Sequence, residues 1–265
     1  MRRAVEQIRR MRGGAQSHLM RCDDGDYYVV KFRNNPQGVR ILANELLGTR
    51  LAARLGLPTP GAEIVEVGPK LIEFTDDLVM QLGRGHAPCE PGMQFGSRYP
   101  GSPAETVVYD FVPEEQLREV PNLRDFCGML VFDKWTCNTN GRQAIFFRGK
   151  NETRYTAQMI DQGFCFNAGE WNFPDAPLRG IYARHSVYGR VQGIDSFEPW
   201  LSRVESAIAE SALDEIQSEI PPEWYDDDAD ALNKLLEQLW RRRGLVRQLL
   251  LATRDSSAQP FPNWK

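Results

Sequence analysis

Lys31 and Glu45 are two side chains whose types and spacing could hold a phosphorylated ligand. Lys31 lies at the end of the apolar run Tyr28-Val-Val-Lys31, and Glu45 follows 14 residues later within a predicted helix. A lysine at the end of a strand, paired with a glutamate of the next helix, can hold the α- and β-phosphates of ATP. The alternatives are a surface position at a strand edge for Lys31 and a solvated helix face for Glu45.

A second group of polar side chains carries oxygen atoms that suit a metal ion. Asp161 follows an apolar strand and precedes Gly163, which places its carboxylate at a strand end. The loop expected to face this strand end carries four more such side chains: Asp133, Asn138, Asn140 and Gln143. Oxygen ligands suit Mg²⁺, which takes one or two carboxylates and relies on substrate phosphates for the rest. The alternative is that residues 161–163 form a simple turn and residues 138–141 a loop.

The elements before residue 105 are predicted to be mainly strands. Residues 18–22 and 27–32 flank an Asp-Asp-Gly turn, which is typical of a strand–turn–strand unit. A helix is expected from about Asn34 to Leu55, followed by strands at 62–67 and 77–82. Residues 83–104 hold five glycines and four prolines, so we expect a long loop or a junction between two lobes there.

The later part of the chain is predicted to be mainly helical. Residues 123–135 have the pattern of a buried helix, and two amphipathic helices are expected at 198–219 and 229–252. Two short strands, 143–148 and 155–160, interrupt the helices. A small strand-rich lobe, a junction and a larger helical lobe would leave a cleft between the lobes.

Composition excludes several classes of protein. The 265 residues are 42% hydrophobic and 26% charged, which is ordinary for a globular chain. The net charge of −4 argues against a dedicated nucleic-acid binder. No apolar run approaches the roughly 18 residues that span a bilayer, and no secretory signal opens the chain, so we expect a cytoplasmic protein. The five cysteines and three histidines lack metal-site spacing. Residues 2–12 carry five arginines, which we interpret as a basic helix face; contact with an acidic partner or nucleic acid is the alternative.

The chain resembles the HipA-like kinases, in particular their small stand-alone branch. The resemblance rests on the strand ending at Lys31, the segment Ala43-Asn-Glu45, the loop 133–143 and Met159-Ile-Asp-Gln-Gly163. It implies an α+β, two-lobed kinase-like fold with a small β-rich N-lobe and a larger, mainly helical C-lobe. The expected boundaries are residues 1–93 for the N-lobe, 94–104 for the junction and 105–265 for the C-lobe.

The resemblance also implies ATP and Mg²⁺ as cofactors and assigns roles to residues. Lys31 would bind ATP phosphates, the 138–143 loop would carry the catalytic base, and Asp161 would bind Mg²⁺ with Gln143 in support. Asn140 occupies the position of the family's catalytic aspartate, and Arg142 that of its histidine. In an active kinase we therefore expect Asp133, rather than Asn140, to supply the carboxylate near the acceptor hydroxyl; the alternative is that Asp133 braces the loop.

Weaker signals concern the rest of the nucleotide. Gly13 and Gly14 precede the first predicted strand, and their backbone N–H groups could approach phosphates with the hydroxyl of Ser17 adding a contact. Paired glycines before a strand also simply form turns. The backbone of the junction is a candidate for contacting adenine, through three residues: Gln94, Phe95 and Gly96.

The sequence therefore predicts transfer of the γ-phosphoryl group of ATP to a hydroxyl of a protein Ser/Thr or of a small molecule. Membrane and nucleic-acid partners are not expected. The alternative is a pseudokinase that binds nucleotide and regulates a partner without turnover, and Asn140 is the feature that favours it. A nucleic-acid-binding regulator is a third interpretation, based on the arginine-rich start.

Overall fold

Strands from the first hundred residues close into a β-barrel. The computed structural model describes residues 1–206 and 208–265. The strands of the chain are β1 (Arg2–Arg10), β2 (His18–Cys22), β3 (Tyr27–Lys31), β4 (Ala62–Val67), β5 (Val79–Leu82), β6 (Gly85–Pro88), β7 (Gly92–Arg98), β8 (Thr106–Tyr109), β9 (Gln143–Gly149) and β10 (Thr156–Ile160). The barrel has the order β1-β2-β3-β7-β4, with β1 returning to β4. Its register places Lys31 of β3 opposite Phe95 of β7.

The barrel confirms the predicted strand–turn–strand unit and corrects two other predictions. Residues 2–10 form strand β1 rather than a basic helix face, because they pair with both β2 and β4. Residues 83–104, predicted to be a long loop or a junction between two lobes, are not a loop, because they include β6 and β7. Apart from Gly96, which lies inside β7, the glycines and prolines of this segment lie at strand ends and in turns, and β7 is a central strand between β3 and β4.

Helices α1 and α2 pack against strands of the barrel, and the other α-helices follow it in the chain. They are α1 (Arg40–Arg54), α2 (Pro69–Glu73), α3 (Glu114–Arg118), α4 (Asp125–Thr136), α5 (Trp200–Ser202), α6 (Glu210–Glu219), α7 (Ala229–Arg241) and α8 (Val246–Arg254). The predicted helices near 34–55 and 123–135 are confirmed. The two long helices expected at 198–219 and 229–252 are each divided, the second by a 3₁₀ turn over Arg242–Leu245.

Two hydrophobic clusters hold these elements together. A smaller cluster fills the barrel with residues such as Met20, Tyr28 and Val30. The larger cluster combines the apolar face of α1 with α4, whose residues from Phe126 onward are all buried, and with Phe95 of the barrel. Helix α4 is buried on every side because apolar residues occur all around it, and its polar residues Asp133 and Lys134 are buried with hydrogen-bond partners. The barrel is therefore packed against the helices through the larger cluster.

A three-stranded antiparallel sheet lies within the helical part, in the order β10-β9-β8. The hairpin of β9 and β10 was predicted, whereas β8 was not. The register pairs Gln143 at the start of β9 with Ile160 at the end of β10. Gln143 and Asp161 are therefore brought to the same end of the hairpin.

None of the helices in the described part of the chain has the length and hydropathy that crossing a bilayer requires. The boundaries at residues 93 and 104 stay predictions.

Candidate active site

Three elements bring one cation and two carboxylates together. Lys31 ends β3, Glu45 lies in the middle of α1, and Asp161 directly follows β10. The Lys31 ammonium group donates to Oε1 of Glu45 and, at 2.8 Å, to Oδ1 of Asp161. The side chain of Lys31 is 11% exposed, that of Glu45 3% and that of Asp161 24%, so Asp161 is the member that faces solvent.

The charges of Lys31 and Asp161 stabilise each other, whereas burial and the nearby Asp161 charge raise the pKa of Glu45 against the opposing effect of Lys31. Burial alone would lower the pKa of Lys31, but the negative charges of Glu45 and Asp161 outweigh burial and raise it. Burial likewise acts to raise the pKa of Asp161, and the adjacent Lys31 ammonium outweighs it and lowers that pKa. At neutral pH Lys31 is a cation and Asp161 an anion, as binding of phosphate and metal requires.

Glu45 also fixes the backbone that follows Asp161. Its Oε2 accepts from the amide of Gln162 and its Oε1 from the amide of Gly163, both at 2.9 Å. A Cβ atom on Gly163 would lie 2.7 Å from Cγ2 of Ile41 and 3.2 Å from Oε1 of Glu45. The glycine is thus needed because the backbone passes so close to α1.

Gln143 completes the group at the solvent side. Its Nε2 donates to Oδ2 of Asp161 at 2.8 Å, and the side chain is exposed. No group of three or more His, Cys, Asp or Glu residues suited to a metal exists among the described residues. Asp161 and Gln143 fit Mg²⁺ as hard oxygen donors for an ion that takes its other ligands from phosphates and water.

Asn44 directly precedes Glu45 on α1, and the sequence alone assigned it no role. It is fully buried, and its Nδ2 donates to the carbonyl oxygens of Gly163, Cys165 and Ala168 at 2.8–3.1 Å. Its Oδ1 accepts from the indole Nε1 of Trp171 at 2.8 Å. Its role is to bind these backbone groups. The signal in the sequence was an uncharged polar residue beside Glu45, on the buried face of a predicted helix.

The backbone that Asn44 binds adopts an uncommon conformation. Phe166, Asn167 and Ala168 all have positive φ angles, of 59°, 60° and 55°. Such angles are unfavourable for residues with a side chain and persist only where surrounding contacts impose them. The hydrogen bonds of Asn44 provide those contacts.

The other candidate catalytic side chains form a separate, buried group. Arg142 contacts both carboxylate oxygens of Asp133, with Nε 2.8 Å from Oδ2, and Asn138 donates to Oδ1 at 3.0 Å. The Asp133 and Arg142 side chains are 0% and 1% exposed. Arg142 also donates to the carbonyl oxygen of Ile160 and to Oε1 of Gln162. This arrangement matches the bracing alternative for Asp133, since no oxygen of its carboxylate reaches the surface.

The side chain of Asn140, unlike those of Asp133, Asn138 and Arg142, is exposed. Its Oδ1 accepts from the amide of Gly141 at 2.9 Å, and its carbonyl oxygen accepts from the amide of Gly180 at 3.1 Å. A Cβ atom on Gly180 would lie 2.3 Å from Cβ of Asp133, so the segment around Gly180 packs directly on the brace.

The remaining nucleotide-binding predictions fall at two other places. Ser17 is buried at the end of the glycine-containing loop between β1 and β2, and its carbonyl oxygen accepts from the amide of Met11. Gln94 is fully buried, accepting from the amide of Arg33 and donating to the carbonyl oxygen of Glu90. Phe95 and Gly96 pair on both sides of β7, which uses their backbone groups in the sheet. Their contact with a nucleotide stays a prediction.

Comparison with known proteins gives a family and a fold. A family model described as HipA-like kinase matches residues 4–249. The Helicobacter pylori proinflammatory kinase CtkA aligns with a TM-score of 0.59 and 13% identity over 94% of this chain and 95% of that chain. Hydra Fam20, solved with sugar, aligns with a TM-score of 0.59 and 13% identity over 97% of this chain and 87% of that chain. The Golgi casein kinase, solved with Mn and ADP, aligns with a TM-score of 0.51 and 14% identity over 96% of this chain and 74% of that chain. A search of curated proteins finds no match. The mixed α/β fold is kinase-like.

The close contact at Gly163 makes a specific prediction. Gly163→Ala should destabilise the protein by about 1–3 kcal/mol, the usual scale for inserting a methyl group into a packed site. It should also weaken ATP binding, because the Glu45 hydrogen bonds to residues 162 and 163 are displaced. Urea unfolding and calorimetric titration with ATP measure the two effects.

Gly169→Ala is the matched control, since a Cβ atom there meets nothing within 4 Å. Its stability should stay within about 0.5 kcal/mol of the wild type. Equal effects of the two substitutions would show that the approach of Gly163 to α1 is unimportant.

Proposed function

The chain belongs to the HipA-like kinase family, and we propose that it uses ATP and Mg²⁺ to transfer the γ-phosphoryl group to a hydroxyl. The acceptor is a protein Ser/Thr or a small-molecule alcohol. The observation that carries the proposal is the triad of Lys31, Glu45 and Asp161, drawn from β3, α1 and the end of β10. In a kinase-like fold, this set would supply the phosphate-binding cation and the metal-binding carboxylate side by side.

Lys31 would bind the α- and β-phosphates of ATP. Its ammonium group is held by Glu45 on one side, and its pKa is raised, so it stays charged in the absence of nucleotide. Because Glu45 is buried and also bound to two backbone amides, it keeps Lys31 in position. This preorganisation lowers the cost of ordering the lysine when ATP binds.

Asp161 and Gln143 would hold Mg²⁺. Both lie at the solvent side of the triad: the amide nitrogen of Gln143 donates to Asp161, so the Gln143 amide oxygen and the Asp161 carboxylate are the oxygen donors for the ion. When bound, the ion would neutralise charge on the β- and γ-phosphate oxygens. The Golgi casein kinase structure, solved with Mn and ADP, supports use of nucleotide and a divalent metal within this fold.

Asn140 would orient the acceptor hydroxyl. It is exposed on the loop beside Gln143 and occupies the position of the family's catalytic aspartate. An amide cannot remove a proton at neutral pH, but phosphoryl transfer depends chiefly on alignment and charge neutralisation. We assign Asp133 as the brace for this loop, because Arg142 and Asn138 occupy its carboxylate.

The second candidate function is a nucleotide-binding pseudokinase that regulates a partner. The specific observation in its favour is that no carboxylate takes the place of Asn140 at the surface of the loop, since Asp133 is buried beneath it. This candidate keeps the nucleotide-binding role of Lys31 and Asp161.

Incubation with γ-labelled ATP and Mg²⁺, alone and with cell lysate, tests the proposal. We expect label on the protein, on a lysate protein or on a metabolite, and loss of that label with Asp161→Asn, because an amide binds Mg²⁺ with a dipole instead of a full charge. Asp214→Asn, an exposed position on α6, is the control and should keep full activity. ATP binding without any transfer would support the pseudokinase.

Asn140→Asp tests the role of this position in transfer. A restored carboxylate should raise kcat by about 10²-fold or more, the usual scale of general-base catalysis. Asn151→Asp, in the exposed turn at the opposite end of the β9–β10 hairpin, carries the same charge change and should leave kcat unchanged. A kcat for Asn140→Asp equal to that of the wild type would contradict the placement of the acceptor hydroxyl at this loop.

A further inference from the structure

Four arginines surround a groove at the N-terminal end of α4, the end of this helix that is farther from the active site. The groove has a volume of about 400 Å³ and is bordered by the end of α3, the start of α4 and the turn between β9 and β10. Its arginines are Arg118, Arg124, Arg154 and Arg190, and its one acidic side chain is Glu119. The volume is within the range of protein sites that bind ligands. We call this feature the arginine groove.

The positive charge of the arginine groove is poorly neutralised by the protein itself. Within the described residues, Arg154 and Arg190 have no salt bridge, and the Arg118 partner Glu114, at 3.5 Å, lies closer to Arg184, at 2.7 Å. Arg124 donates to a backbone carbonyl, that of Glu198, rather than to a carboxylate. This local excess occurs in a chain whose net charge is −4.

Helix α4 separates the arginine groove from the active site. Arg124 immediately precedes the helix, while Asp133 and Asn138 lie at its other end. Twelve helical residues at about 1.5 Å each span roughly 18 Å. A ligand in the groove would therefore leave the Lys31 triad free. The positive end of the helix dipole points toward the groove and adds to its preference for an anion.

We propose that the arginine groove binds an acidic segment of a protein partner, a run of Asp and Glu residues. Each planar guanidinium group can bind a carboxylate in a bidentate manner. Four neighbouring arginines therefore favour a ligand that presents several carboxylates close together. Val120, Pro121 and Leu123 give the groove an apolar floor that suits peptide backbone and side-chain methylenes. No aromatic side chain lines it among the described residues, so bases of a nucleic acid would lack a stacking surface. This binding goes beyond the proposed phosphotransfer and does not depend on it.

Fluorescence anisotropy with a labelled oligoglutamate peptide tests the proposal on the full chain. The wild type should bind the peptide, and affinity should fall as salt is raised. Arg154→Glu combined with Arg190→Glu should weaken binding by about tenfold or more, because each change removes a carboxylate-binding group and adds repulsion. Arg9→Glu combined with Arg84→Glu gives the same charge change at exposed positions outside the groove and should alter affinity by less than about twofold.

Three results with the peptide would overturn the proposal: no peptide binding at low salt, equal losses in the two double variants, or unchanged affinity in the groove variant. A labelled single-stranded oligonucleotide of equal net charge provides the remaining comparison. It should bind more weakly than the peptide. Tighter oligonucleotide binding that is lost with Arg154→Glu and Arg190→Glu would assign the groove to nucleic acid and overturn the acidic-peptide assignment.

Discussion

The buried carboxylate of Glu45 is the interaction on which the rest of the site depends. A buried charge is tolerated only when it is paired and hydrogen-bonded, and Glu45 meets this requirement with Lys31 and two backbone amides. Those partners come from the barrel and from the chain after β10, so satisfying one carboxylate joins three elements. Asp161 is held in place by the same contacts, and Gly163 is the residue that lets the backbone approach closely enough.

The segment after Asp161 is ordered by side chains on neighbouring helices. Asn44 binds three carbonyl oxygens of residues 163–168, and Lys134 donates to those of Pro177 and Arg179 at 2.7 and 2.8 Å. Arg242 binds both carboxylate oxygens of Asp175. Residues 162–181 contain no Ser, Thr or Tyr. The segment therefore has no hydroxyl side chain on which phosphorylation could act. The hydrogen bonds from Asn44, Lys134 and Arg242 hold it in place.

The parts of the fold that could be predicted from sequence are those encoded by local patterns. The β2–β3 hairpin, α1 and the β9–β10 hairpin have clear periodicity or turn residues, and α4 is a continuous, largely apolar run; the two hairpins place Lys31 and Asp161 at strand ends. Strand β1 could not be predicted, because its pairing with β4 joins residues about 60 positions apart. The environment of Asp133 was equally inaccessible: whether its carboxylate faces solvent or Arg142 depends on tertiary packing, so both alternatives stood.

The central claim is that Lys31 and Glu45 act as one unit in binding ATP. A double-mutant cycle measures this directly, with Lys31→Met, Glu45→Gln and the combined variant titrated calorimetrically with ATP and Mg²⁺, after circular dichroism has verified the fold of each. We predict that each single change weakens ATP binding by about tenfold or more and that the combined change costs no more than the larger single change, as for coupled residues. The claim would be contradicted if the two single losses in binding free energy added up in the combined variant. It would also be contradicted if either single variant bound ATP as tightly as the wild type.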